Sequence, residues 1–200
     1  MDILKLIKTR RTIRRYKNKP VPKKILDKII QAGIWGPSVP SFLRIQPWRF
    51  IIVEDRQCIN KAADILYKKS IHSKAGLNIM LRSTGNIIKS ASRIILVYRS
   101  SKELEHFKIT WSQVYSNFEK LIKTAQLSAI SAAIQNMILT AHAYGIASCW
   151  LDMPLLCKKE LNSLFEADEE LVAILTLGYA AEKGKRSSRK PFSETVEFIK

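Results

Sequence analysis

Carboxylates are scarce in this chain: 17 Asp and Glu stand against 34 Lys and Arg, for a formal net charge of +17. Scattered as they are, they give no pattern for a paired-carboxylate hydrolase. Cysteine is scarcer. Cys58, Cys149 and Cys157 are odd in number and show no C-x-x-C spacing, which argues against a disulfide scaffold and a thiolate zinc site. His72, His106 and His142 lie far apart and form no H-E-x-x-H pair. The seven glycines never fall two residues apart, so the G-x-G-x-x-G turn of a dinucleotide Rossmann fold is excluded on spacing. A Walker lysine motif and a G-x-S-x-G nucleophile elbow are missing as well. With no obvious side-chain carrier of acid–base chemistry, a cofactor is the expected source of any reaction.

Two further absences bear on membranes. The opening Asp2-Ile3-Leu4-Lys5 lacks a long apolar h-region, so no signal peptide is expected and a reducing cytoplasm is the expected setting. Residues 124–151 contain no Asp, Glu, Lys or Arg, a length sufficient to span a bilayer. However, Gln126, Ser128, Ser131, Gln135, Asn136, Thr140 and His142 would be costly in lipid. A buried helix running into a buried strand fits better.

What is present is an ordinary globular composition. Apolar content of 46% and aromatic content of 8% over 200 residues suit one folded domain spanning residues 1–200. Apolar spacing predicts helices over 2–8, from about Pro22 to Trp35, over 57–70, from Phe118 to Tyr144 and over 158–165. Leu121, Leu127, Ile130, Ile134, Met137, Ile138 and Ala141 form the apolar stripe of the longest of these, and Gly145 stops it. Strands are predicted at Trp48–Val53, Arg93–Arg99, Ile146–Leu151 and Glu170–Leu177, with a short one at Thr195–Ile199. The uninterrupted Ile94-Ile95-Leu96-Val97-Tyr98 suits a central strand buried on both faces. Residues 71–90 give only a weak pattern, rich in Gly, Asn and Ser, and read as a mobile connection. Residues 102–116 are ambiguous between a helix and a lid. Interspersed helices and few strands predict an α+β sandwich, a small mixed or antiparallel sheet with helices on both sides. The charge-free helix is more buried than a monomer of this size requires, so it is expected at the centre of a homodimer.

The chemistry-bearing stretch is Thr9-Arg10-Arg11-Thr12-Ile13-Arg14-Arg15-Tyr16, with four arginines within six residues. Guanidinium groups match phosphate oxygens in a bidentate way, and a threonine hydroxyl with backbone N–H groups can complete an anion cradle. The plainer alternative is a solvated basic segment. The high charge also raises a nucleic-acid reading. It is weakened because the lysines are spread along the whole chain and the aromatics sit mostly in apolar runs.

Taken in order, the motifs resemble those of the nitroreductase family. Arg10-Arg11-Thr12-Ile13-Arg14 is similar to its R-R-S-x-R element, and Pro37-Ser38 followed by Gln46-Pro47-Trp48 to its P-S-x-x-N-x-Q-P-W element. A second register of that loop begins at Pro40-Ser41 and puts Arg44 where the family has Asn. Gln135-Asn136, Gly145 through Met153, and Arg189-Lys190-Pro191 resemble its later segments. The resemblance implies a nitroreductase-like α/β/α sandwich, dimeric with a C-terminal extension. It also implies an oxidoreductase using flavin mononucleotide (FMN), with NADH or NADPH as reductant and a nitroaromatic, quinone or related electrophile as acceptor. Flavin cleavage or reductive dehalogenation is the alternative chemistry.

By that resemblance, Arg10 and Arg14, with Arg11 and Thr12, hold the FMN phosphate and the polar edge of its ring. Arg189, joined by Arg186, closes on the phosphate from the C-terminal side. Pro37, Ser38 and Ser41 reach the flavin from the partner subunit, and the backbone around Leu151, Asp152 and Met153 passes near its reactive nitrogen. Gln135 belongs with the cofactor-binding set, or, like Asn136, simply hydrogen-bonds within the dimer core. No side chain is obligatory for hydride transfer, so no catalytic residue and no metal ligand is expected. Blander roles fall to the others: Trp48 and Phe50 in the core, Cys149 as a small buried apolar group, His142 as a satisfied core histidine. Arg15 is expected at the surface, and Lys17, Lys19, Lys23 and Lys24 on a solvated basic face.

Overall fold

The computed structural model describes residues 2–38, 46–100 and 117–199. The two stretches left out contain Ser41 and the ambiguous segment 102–116, so those expectations lie outside the described residues. Helix α1 (Ile3–Thr9) starts at Asp2, whose carboxylate accepts from the Leu4 N–H at 2.9 Å. Helix α2 (Lys23–Ile34) follows Pro22 and ends at Trp35. Strand β1 (Trp48–Val53) leads into α3 (Arg56–Ile71), capped by Asp55 through the Cys58 N–H. Helix α4 (Leu77–Ser90) feeds β2 (Arg93–Arg99). The long α5 (Phe118–Ala143) ends at Gly145, whose φ of +71° supplies the left-handed turn into β3 (Ala147–Leu151). A 3-10 turn (Met153–Cys157), α6 (Lys158–Leu164) and β4 (Glu170–Gly178) complete the core.

The four strands pair antiparallel throughout in the order β1-β2-β4-β3. Their order fixes where the core sits. β2 is interior, and Ile94 through Tyr98 are fully buried, as the unbroken apolar run predicted. One face packs against α3, α4, the 3-10 turn and α6, through Leu66, Leu81, Ile94, Leu96 and Leu161. The other packs against α2 and α5, through Leu26, Ile29, Ile95, Ile130 and Ile134. The expected sandwich with helices on both faces is therefore present. Trp48 is buried and stacks on Phe50 at 6.4 Å, so both belong to the core as expected. None of the described helices is long and apolar enough to cross a membrane.

Three expectations are corrected. Residues 77–90 are a helix, not a mobile connection. The residues that weaken its local pattern are engaged by tertiary contacts: Asn86 accepts a hydrogen bond from the Tyr67 hydroxyl at 2.8 Å, and Gly85 lies against the Tyr67 ring. The predicted strand at Thr195–Ile199 does not form. A 3-10 turn at Phe192–Glu194 takes its place, and the Thr195 and Val196 N–H groups bond back to the Phe192 carbonyl instead of to a sheet edge. Leu121 leaves the apolar stripe and is 64% exposed, because the first turns of α5 extend beyond the core.

Candidate functional site

The arginine stretch forms an extended ribbon between β3 and the chain that follows β4. Thr12 bridges Ser148 in parallel, and Tyr16 bridges Ala180 in antiparallel fashion. The Ile13 N–H donates to the Ser148 carbonyl at 3.1 Å, the Lys17 N–H to Tyr179 at 2.8 Å, and the Ala181 N–H to Arg15 at 2.9 Å. Its two apolar residues explain why it lies flat. Ile13 and Tyr16 are buried in the core, and the Tyr16 hydroxyl donates to the Ile13 carbonyl at 2.8 Å and pairs with Thr176 Oγ1 at 2.8 Å. Burial pushes the Tyr16 phenol well above its usual range, so it remains a proton donor. With Ile13 and Tyr16 anchored inward, the arginines are left at the surface.

Arg10, Arg11 and Arg14 line a pocket of about 910 Å³, and Arg15 lies outside it. Lys8, Arg10, Arg11, Thr12 and Arg14 form one wall; Lys185, Arg186, Ser187, Ser188 and Arg189 form the other. Among the described residues, only Ile7 adds an apolar side chain, and no carboxylate lines the pocket. The arginines are not equivalent. Arg11 donates to the carbonyls of Lys8 and Arg10, both at 2.8 Å, and so caps the end of α1. Arg10 makes one long contact, 3.4 Å to Thr12 Oγ1. Arg189 donates to Ser187 Oγ and the Ser188 carbonyl, which tightens its own loop. Such a wall of donors, with no competing carboxylate among the described residues, suits a phosphate monoester.

Arg14 also borders a second cleft, of about 710 Å³. Its walls are α4, through Leu77, Met80 and Ile87, the end of β3, through Cys149 to Asp152, and the following turn. The lining is mainly apolar. Asp152 is already engaged, accepting from the Trp150 indole N–H at 2.7 Å. Burial pushes the Cys149 thiol up to about 11, as expected of a small buried group without a thiolate role.

The structure therefore brings together Arg10, Arg11, Thr12, Arg14, Arg186 and Arg189 in one pocket, with Leu151 and Asp152 in the adjoining cleft. Pro37, Ser38 and Gln135 line neither. Pro37 and Ser38 follow α2, and Gln135 is exposed on α5 within the single chain. His142 is corrected. It is half-exposed rather than core, and its Nε2 lies 3.0 Å from Thr9 Oγ1. Burial, then the Arg10 and Arg11 charges, hold its imidazole below the usual range. The α4 wall has no signal in the sequence, because the weak pattern of residues 71–90 suggests a connection there. Nor does the pairing of Tyr16 with Thr176, which spans 160 positions, leave one.

A family model described as the nitroreductase family matches residues 7–179. A protein of Methanothermobacter thermautotrophicus, provisionally named NADH dehydrogenase/NAD(P)H nitroreductase, is 31% identical over 91% of this chain and 79% of its own length. Among solved structures, a BluB-like flavoprotein from Clostridium difficile 630 superposes with a TM-score of 0.78 at 27% identity, covering 100% of both chains. A protein from Desulfovibrio desulfuricans, provisionally named a nitroreductase and solved in complex with FMN, gives 0.74 at 28% identity, covering 100% of this chain and 98% of its own.

Proposed function

The chain belongs to the nitroreductase family, and from that premise we propose that it is an FMN-dependent oxidoreductase. In this reading it takes reducing equivalents from NADH or NADPH in alternating half-reactions and passes them to a small electrophile such as a nitroaromatic or a quinone. The observation that carries it is the basic pocket, free of carboxylates among the described residues, joined at Arg14 to an apolar cleft. A flavin phosphate ester asks for the first and a flat, largely apolar ring for the second, so the residues present fit the group.

FMN held there would supply the redox chemistry between a nicotinamide and the acceptor. The chain's own residues bind and orient. Arg10, Arg14, Arg186 and Arg189, which line the pocket, would neutralise and hold the phosphate, with Thr12 adding a hydroxyl. Arg11 holds the end of α1 in place beside them. Leu77, Met80 and Ile87 exclude water from one side of the cleft, while Leu151 and Asp152 present backbone from the other. Pro37, Ser38, Ser41 and Gln135 belong to the reading as contacts across a homodimer, with the flavin sites at the interface. A single domain and a cytoplasmic setting belong to it too.

The test is an absorption spectrum of the purified protein, with any chromophore released by heat and identified by mass. Flavin bands, with FMN recovered at about one per subunit, are expected. NADH or NADPH should bleach them, and a nitroaromatic or quinone should restore them. A colourless protein that takes up no added FMN would overturn the proposal. Reoxidation only by a halogenated aromatic, or loss of the flavin itself, would shift it to the second flavin chemistry.

A further inference from the structure

The chain beyond β4 reaches the basic pocket through residues that do not line it. It runs antiparallel to the arginine ribbon, registered by the Tyr16–Ala180 bridge and the backbone bonds at Arg15 and Lys17. Opposite Arg14 the pairing continues through a side chain. Glu182 Oε1 accepts from the Arg14 backbone N–H at 2.7 Å, and Glu182 Oε2 accepts from Arg15 Nε at 2.9 Å. Two residues later, Gly184 passes so close to the ribbon that an added Cβ would collide with Arg11 Cβ and lie 2.9 Å from Ile13 Cδ1. Past Gly184 the chain delivers Lys185, Arg186 and Arg189 to the far wall.

A carboxylate beside an anion site should weaken it, unless its lone pairs point elsewhere. Here both oxygens are engaged, one by a backbone N–H and one by an arginine that is 75% exposed and outside the pocket. The Arg14 N–H bond, then the Arg15 bond, hold the Glu182 carboxyl below its usual range, so it stays charged at neutral pH. Its negative charge is spent on the ribbon's outer side, and the arginines of the pocket keep theirs.

We propose that Glu182 is a positioning residue for the phosphate of the cofactor: with Gly184 it fixes the spacing of the two basic walls without touching the ligand. This rests on the flavin reading above, and it assigns phosphate recognition to an acidic side chain. Two walls held at a fixed separation meet a phosphate ester without reorganising, whereas a loosened second wall must be ordered at binding.

The test compares FMN with riboflavin, which lacks the phosphate, by titrating flavin-free protein and following quenching of flavin fluorescence. Wild type should bind FMN far more tightly than riboflavin. Glu182→Ala should lower FMN affinity about tenfold and leave riboflavin affinity within about twofold. Glu182→Gln, which retains an acceptor for the Arg14 N–H, should recover most of the loss. Gly184→Ala lifts the same strap by steric contact and should repeat the phosphate-selective loss, so the test survives if Glu182→Ala fails to fold. Unchanged FMN affinity in Glu182→Ala, or equal loss for both flavins in the folded variants, overturns the positioning role alone. A wild type that binds neither flavin removes the flavin reading, and the positioning role with it.

Discussion

Arg10 and Arg14 carry the sharpest residue-level expectation, because neither has a partner within the pocket as strong as a phosphate would be. Changing either to Ala should weaken FMN binding by about 1.5–3 kcal/mol, the range for a charge-assisted bond, as read by fluorescence titration. Lys17→Ala should leave it unaltered, since Lys17 is exposed and lines neither cavity. Cys149 sets a pH dependence. Its thiol, ordinarily near 9.0, is raised to about 11 by burial, so folding favours the protonated form. The stability it contributes is full below pH 9 and is lost as pH rises through about 11. Thermal melts of wild type should therefore fall across that window, and Cys149→Ala should flatten part of the fall.

At the scale of elements, α4 is the informative case. Its Gly, Asn and Ser residues argue for a loop when read locally, and a strand-like or helical period does not emerge from them. Packed on α3, the same residues fit: Gly85 admits the Tyr67 ring, and Asn86 receives its hydroxyl. A Cβ at Gly85 would lie 2.5 Å from Tyr67 Cε1. Gly85→Ala, which raises intrinsic helix propensity, should nonetheless destabilise by about 1–3 kcal/mol in chemical denaturation. A stabilised variant would contradict the packing account. The C-terminal stretch errs in the other direction. Its apolar residues suggested a strand, but a strand requires an edge to pair with, and these N–H groups bond locally.

For the whole molecule, the described surface leaves large apolar side chains uncovered: Ile3 and Leu4 on α1, Trp35 after α2, and Phe192, Phe198 and Ile199 near the C-terminus. The homodimer proposed above would cover such residues, and its mass tests that reading. Light scattering at micromolar concentration should give twice the chain mass, and a monomer mass would sink the interface reading of Pro37, Ser38 and Gln135. The net charge of +17 should make flavin association faster at low salt.

Short-range patterns determined much of this protein. The four strands, the ends of α2, α3 and α5, and the arginine cluster were legible because short apolar runs, helix caps and clustered charge are local properties. The wall opposing the ribbon was legible only in part. Arg186 and Arg189 lie far along the chain, and resemblance placed them there rather than periodicity. Only the tertiary structure decided that Tyr16 anchors the ribbon on Thr176, that α4 lines the cleft, and that Glu182 accepts from the Arg14 backbone. Each of these joins residues distant in sequence through burial or a single hydrogen bond, and such bonds leave no periodic trace in the chain that makes them.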